Sequence, residues 1–166
     1  MISSKLAATL LYAYPALPNL ISCYKKKLKY LYSFECNSRE IAANVIYARI
    51  FRAGDVLENL VALRNAVTSA LGFLSKEQRE VVEGVYFKGV NKDKLSERLG
   101  VTRSLLRSRK NTALNKLRAY IEILGFTEQK VIEVFDDEPL FIDCAEKVAE
   151  AYALSRNFKS GGSGNE

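Results

Sequence analysis

Six cations, Arg103, Arg107, Arg109, Lys110, Lys116 and Arg118, fall within sixteen consecutive residues that contain no acid. Guanidinium and ammonium groups in such a run bind phosphate with release of counterions, and an arginine that reaches a base edge bonds guanine O6 and N7 together. Written as a helix, the segment extends roughly 24 Å, long enough to lie along a groove of a duplex. Thr102 stands just before it. Its hydroxyl suits an N-cap, and the free N–H groups of the first turn favour a phosphate. The chemistry on offer is recognition of a polyanion.

Other chemistries are excluded by what the chain lacks. With no histidine, a Ser-His-Asp triad, an H-E-x-x-H zinc site and any His-ligated metal are ruled out. Cys23, Cys36 and Cys144 form no C-x-x-C pair, which leaves no zinc knuckle or redox motif and suits them to a role as small apolar filler in a reducing setting. Asp136, Asp137 and Glu138 are adjacent in sequence, a spacing that does not make carboxylates converge on an ion. Neither a cofactor nor a metal is expected, and no catalytic centre can be drawn.

Charge is distributed unevenly about a net of +6. Residues 1–70 carry an excess of five positive charges and residues 71–120 an excess of seven, whereas residues 121–166 carry an excess of six negative charges. A positive field of this kind draws polyanions. A second basic cluster, Lys25, Lys26, Lys27 and Lys29 among Tyr24, Tyr30 and Tyr32, has two readings. It is a grip on nucleic acid, or the wet face of an amphipathic helix whose tyrosines pack inward.

These side chains need a scaffold, and the periodicity predicts an all-α one. The composition is ordinary for a globular protein, 48% hydrophobic and 27% charged, and 3 prolines and 9 glycines in 166 residues favour long helices. One helix is predicted from Ser4 to Tyr14, where Pro15 stops it, and a second from Leu17 to Phe34. Further starts are predicted at Asn37, Asp55 and Ser75, each with a carboxylate or amide three residues on. Gly54 and Gly72 read as C-caps. A short helix then ends at Gly100, and a second begins after Thr102 with Leu106, Ala113, Leu117, Ile121 and Leu124 on one stripe. Thr127 caps another helix, residues 136–139 turn, and a last helix runs from Leu140 to Leu154. The apolar run 6–14 reads as an amphipathic helix rather than a signal peptide. The longest apolar stretch, Ile41 to Phe51, is broken by Asn44 and Arg49, so nothing is expected to reach the ~20 residues a bilayer requires and no membrane is expected; the unpaired cysteines suit a cytoplasmic location.

Two helices joined at Gly100, the second basic and capped by Thr102, make a helix-turn-helix pattern. Within it stand Leu74, Gln78-Arg79-Glu80-Val81, Tyr86-Phe87-Lys88-Gly89, Leu95-Ser96-Glu97-Arg98-Leu99-Gly100-Val101-Thr102 and Ala113-Leu114-Asn115-Lys116-Leu117-Arg118. In order and spacing this segment resembles the DNA-binding region of bacterial sigma factors that reads the upstream promoter element. Residues 1–70 do not align with the promoter-melting domain of that family, and Lys110 stands where many of its members place an apolar residue. In layout, a helical arm joined to such a motif looks like phage late-transcription regulators of the ArpU and RinA type. The resemblance implies a sequence-specific regulator of double-stranded DNA, with Thr102, Arg103, Ser104, Arg107 and Ser108 at the groove and Arg109, Lys110 and Lys116 on phosphate. It leaves open a stand-alone sigma-like subunit of RNA polymerase, or a small terminase subunit that packages phage DNA, and with them a homo-oligomer. The expected organisation is a helical region 1–72, a helix-turn-helix domain 73–125, a helical extension 126–158 and a flexible tail 159–166.

Overall fold

A computed structural model describes residues 2–35 and 43–160, and all of the regular structure within them is helical. The order is α1 (Ser4–Ala13), a 3-10 turn (Tyr14–Ala16), α2 (Leu17–Glu35), α3 (Ala43–Gly72), α4 (Lys76–Val82) running on into a π-helical turn (Glu83–Phe87), α5 (Lys92–Leu99), α6 (Arg103–Ile123), α7 (Glu128–Phe135) and α8 (Pro139–Ser160).

Several helix starts form as their sequence predicts. The Ser75 hydroxyl accepts from the Gln78 amide while the Gln78 side chain accepts from the Ser75 amide, a complete capping box. Thr102 and Thr127 accept from the amides of Leu105 and Lys130. Pro15 interrupts the first helix as a 3-10 turn, with the chain continuing directly into α2. Asn37 lies outside the described residues, as does the tail beyond Ser160.

Other expectations require correction. Gly54 ends no helix and Asp55 begins none, because both lie inside the thirty-residue α3. A glycine in a helix interior costs about 1 kcal/mol, but Ile50, Ala53, Val56, Leu60, Leu63 and Val67 bury one unbroken stripe across it. Asp55 instead accepts from the side-chain amide of Asn59 one turn on. Leu124 is exposed, because α6 stops at Ile123 and Leu124 leaves the helical phase, while Leu114 takes a buried place. Cys144 is buried as expected, whereas Cys23 is exposed. One stretch, Ser4–Ser33, is long and apolar enough to cross a bilayer by length and composition, with 44% of its most apolar window buried inside the fold. The leucines and alanines of α1 and of the start of α2 supply that apolar character, which the longest apolar run alone does not reveal.

One apolar cluster joins all of the helices α1 to α8, with Leu10, Leu60, Leu63, Val81, Leu95, Leu117 and Ile121 fully inside. Helix α1 is central to it. Tyr12 meets Tyr86 of the π turn edge-on at 5.0 Å, and the Ser3 amide donates to the Glu128 carboxylate at 3.1 Å. A smaller cluster, Leu31, Ile46, Ile50 and Ala53, holds the far parts of α2 and α3 together.

Candidate nucleic-acid interface

The corner between α5 and α6 is built by backbone conformation. Gly100 adopts φ 62°, a left-handed geometry that only glycine takes without strain, and its amide and that of Val101 close the last turn of α5 onto Glu97 and Ser96. Two residues later Thr102 caps α6. Leu95 from α5 and Leu106 from α6 are buried beneath the corner, while α4 packs along the later part of α6. Gly84 makes this possible, since a Cβ there would lie 2.7 Å from Leu95 Cδ1.

Only one of the adjacent leucines 105 and 106 can face the core. Leu106 does, which turns Ser104, Leu105, Arg107, Ser108 and Asn111 to the solvent. Two side chains of this face went unnoticed in the sequence. Leu105 is 43% exposed and offers an apolar contact of the kind that recognises a thymine methyl, and Asn111 carries the donor and acceptor that match adenine. The pairing Leu105-Leu106 was the available signal, because the stripe through Leu106 leaves Leu105 outside.

The cations predicted to act together differ in their surroundings. Arg107 is exposed. Arg103 is also exposed, and its Nε lies 2.6 Å from Asp93 Oδ1 at the start of α5, so the ion pair spans the corner. Lys116 is exposed and its ammonium donates to Gln78 Oε1 of α4 at 3.3 Å. Arg109 is half-buried, and its charge helps to hold the Glu77 carboxyl below its ordinary range, where a hydrogen bond from Glu77's own amide is the largest cause. Lys110 is also half-buried. Burial lowers its pKa first, and repulsion from Lys92 and Arg107 lowers it further. Lys92 thus joins the cationic cluster from α5. It sits in the first turn, where the helix dipole disfavours a cation, and that breach of a local rule was its signal in the sequence.

Arg118 is not part of this surface. Its guanidinium donates to the Ile2 carbonyl at 2.7 Å and to Ser4 Oγ at 3.0 Å, tying α6 to the start of α1. The six cations of one run therefore divide into exposed Arg103, Arg107 and Lys116, half-buried Arg109 and Lys110, and a structural Arg118.

Residues 70–119 match the family model described as Sigma-70, region 4. That span holds α4, α5 and most of α6, so this helix-turn-helix is similar to the region 4 DNA-binding domain of sigma-70 factors. No curated protein and no solved structure matches the chain.

Proposed function

We propose that the protein is a cytoplasmic, sequence-specific regulator of transcription that places the first half of α6 in the major groove of double-stranded DNA. The observation that carries this reading is the outward face of Ser104, Leu105, Arg107, Ser108 and Asn111, fixed from behind by the buried Leu106. Arg107 suits guanine, Asn111 adenine and Leu105 a thymine methyl, each good bidentate pair supplying about 1–3 kcal/mol of discrimination. Thr102, Arg103, Arg109, Lys110 and Lys116, with Lys92, flank that face and suit phosphate contacts, which fix register without reading sequence. Arg103 exchanges its bond to Asp93 for a phosphate or a base when DNA arrives. In layout, the helical regions on either side resemble those of phage late-transcription regulators, and that resemblance is the support for a phage setting.

The test begins with selection of bound sites from genomic fragments, followed by electrophoretic retardation on the selected site. Replacing Arg103 and Arg107 by Ala should weaken specific binding at least tenfold while the circular dichroism spectrum is unchanged. Undiminished binding by the folded double variant would overturn the proposal.

A second reading is favoured by the region 4 match itself, which in sigma factors accompanies association with RNA polymerase. In that reading the chain is a sigma-like subunit. Co-purification with core polymerase, and transcription from the selected site without another sigma factor, would support it over an accessory regulator.

A further inference from the structure

A cleft of about 560 Å³ opens between α2 and α3 and is bounded at one side by Asp137 of the α7–α8 corner. It lies outside the helix-turn-helix, and its volume falls in the range of about 300–1,000 Å³ usual for small-ligand sites. Three cations, Lys27, Arg49 and Arg52, line it together with the rings of Tyr24 and Tyr30 and an apolar floor that includes Leu31 and Val56.

Its walls are already fixed. The Tyr24 hydroxyl donates to Glu138 Oε2 at 2.6 Å, and Glu138 is itself buried. Arg52 Nη2 lies 3.0 Å from Asp137 Oδ1, so the one acid of the lining is already balanced. Lys27 Nζ rests 5.3 Å from the centre of the Tyr24 ring, a distance at which an ammonium is attracted to the ring face. Lys27 and Arg49 are both exposed, and among the described residues no carboxylate pairs with either. The neighbouring Lys25, Lys26 and Lys29 reinforce the positive potential at the entrance.

A ligand that uses every part of this cleft is both flat and anionic. Inorganic phosphate would engage the two cations and leave the rings and floor uncovered, and a neutral aromatic molecule would do the reverse. We infer that the cleft is a nucleotide site, with the base against Tyr30 and the apolar floor and the phosphate on Lys27 and Arg49. A nucleotide reaches it either as a free molecule or as one unit of a single strand, where stacking on an aromatic ring and backbone neutralisation act together. The inference stands apart from duplex recognition by α6.

Binding of adenosine monophosphate is measured by calorimetry, and binding of a short fluorescein-labelled oligothymidylate by fluorescence anisotropy, on the full chain. At least one probe should bind, and K27A/R49A should weaken it tenfold or more with an unchanged circular dichroism spectrum. R103A/R107A should leave that binding intact even where it abolishes retardation of the duplex. Binding of the mononucleotide alone identifies a free effector, and binding of the oligonucleotide alone or of both identifies a strand contact; each supports the site. Failure of both probes, indifference of the bound probe to K27A/R49A, or equal competition by inorganic phosphate would overturn it.

Discussion

Arg107 and Arg118 lie about three turns apart and so point from nearly the same side of α6, yet their surroundings are opposite. At Arg107 that side is open to solvent, and at Arg118 the start of α1 covers it and takes up the guanidinium. Arg118→Ala should therefore cost about 1–3 kcal/mol in denaturant unfolding, the usual loss when a buried carbonyl is left unpaired, with little change in DNA affinity below the unfolding transition. Arg107→Ala should do the converse, altering stability by no more than about 0.5 kcal/mol while weakening specific retardation. Lys110 carries a different signature. Its folded pKa lies below the ordinary 10.5, so as pH rises the folded chain releases this proton before the unfolded chain does. The unfolded state then binds more protons in the window just below 10.5, and this residue's contribution to stability grows with pH there. Lys110→Met removes the buried charge. It should raise the melting temperature at neutral pH, and the variant should lack the increment of stability that the parent gains on approaching that window, as read by urea unfolding across pH. If Lys110 also touches phosphate, the plot of log affinity against log salt should lose about one unit of slope in the variant.

Among the helices, the joint between α4 and α5 sets the pose of the recognition helix, and it rests on Gly84. An alanine Cβ there would meet both Leu95 methyls, at 2.7 and 2.8 Å, and Leu95 is fully buried. Gly84→Ala should cost about 1–3 kcal/mol, the range for overpacking, and should lower DNA affinity by displacing α5 and with it the start of α6. In a double-mutant cycle of unfolding free energies, Leu95→Ala should relieve part of that cost, so that the pair destabilises by less than the sum of the singles. This joint was hidden in the sequence, where Gly84 sits in a helical run with no turn signal and only its neighbour in space explains it. The adjoining corner was legible because its chemistry is local: Gly100 and Thr102 each act within a few residues of themselves. Asp55 shows the limit of that kind of reading. It has the composition of a helix start, but caps form only where the chain leaves the helix, and the buried stripe from Ile50 to Val67 keeps α3 continuous through it. The outward face of α6 was half legible, since the stripe through Leu106 marks its back while the partners of Arg103, Lys116 and Arg118 come from other helices.

Across the molecule, the helix-turn-helix shares its core with helices that lie far from it in sequence. Tyr86 of the π turn meets Tyr12 of α1, Arg118 of α6 is held by Ile2 and Ser4, and Leu117 and Ile121 are buried in the cluster that also contains Leu10, Leu60 and Phe141. Excising residues 73–125 would expose that apolar surface to water at roughly 25 cal/mol per Å² and would leave the Arg118 guanidinium without its acceptors on Ile2 and Ser4. A domain of about fifty residues is marginal even with an intact core. The excised segment is therefore expected to unfold at a lower denaturant concentration and with a shallower transition than the same helices in the whole chain, as followed by circular dichroism. Adding back residues 2–72 in one chain should restore part of the loss by returning α1 and α3 to the core. The Arg118→Ala substitution should then reduce that recovery, because it removes the polar tie between the two parts while leaving their apolar contact in place. Equal stability of the short and long chains would show that α1 lies on the helix-turn-helix without supporting it.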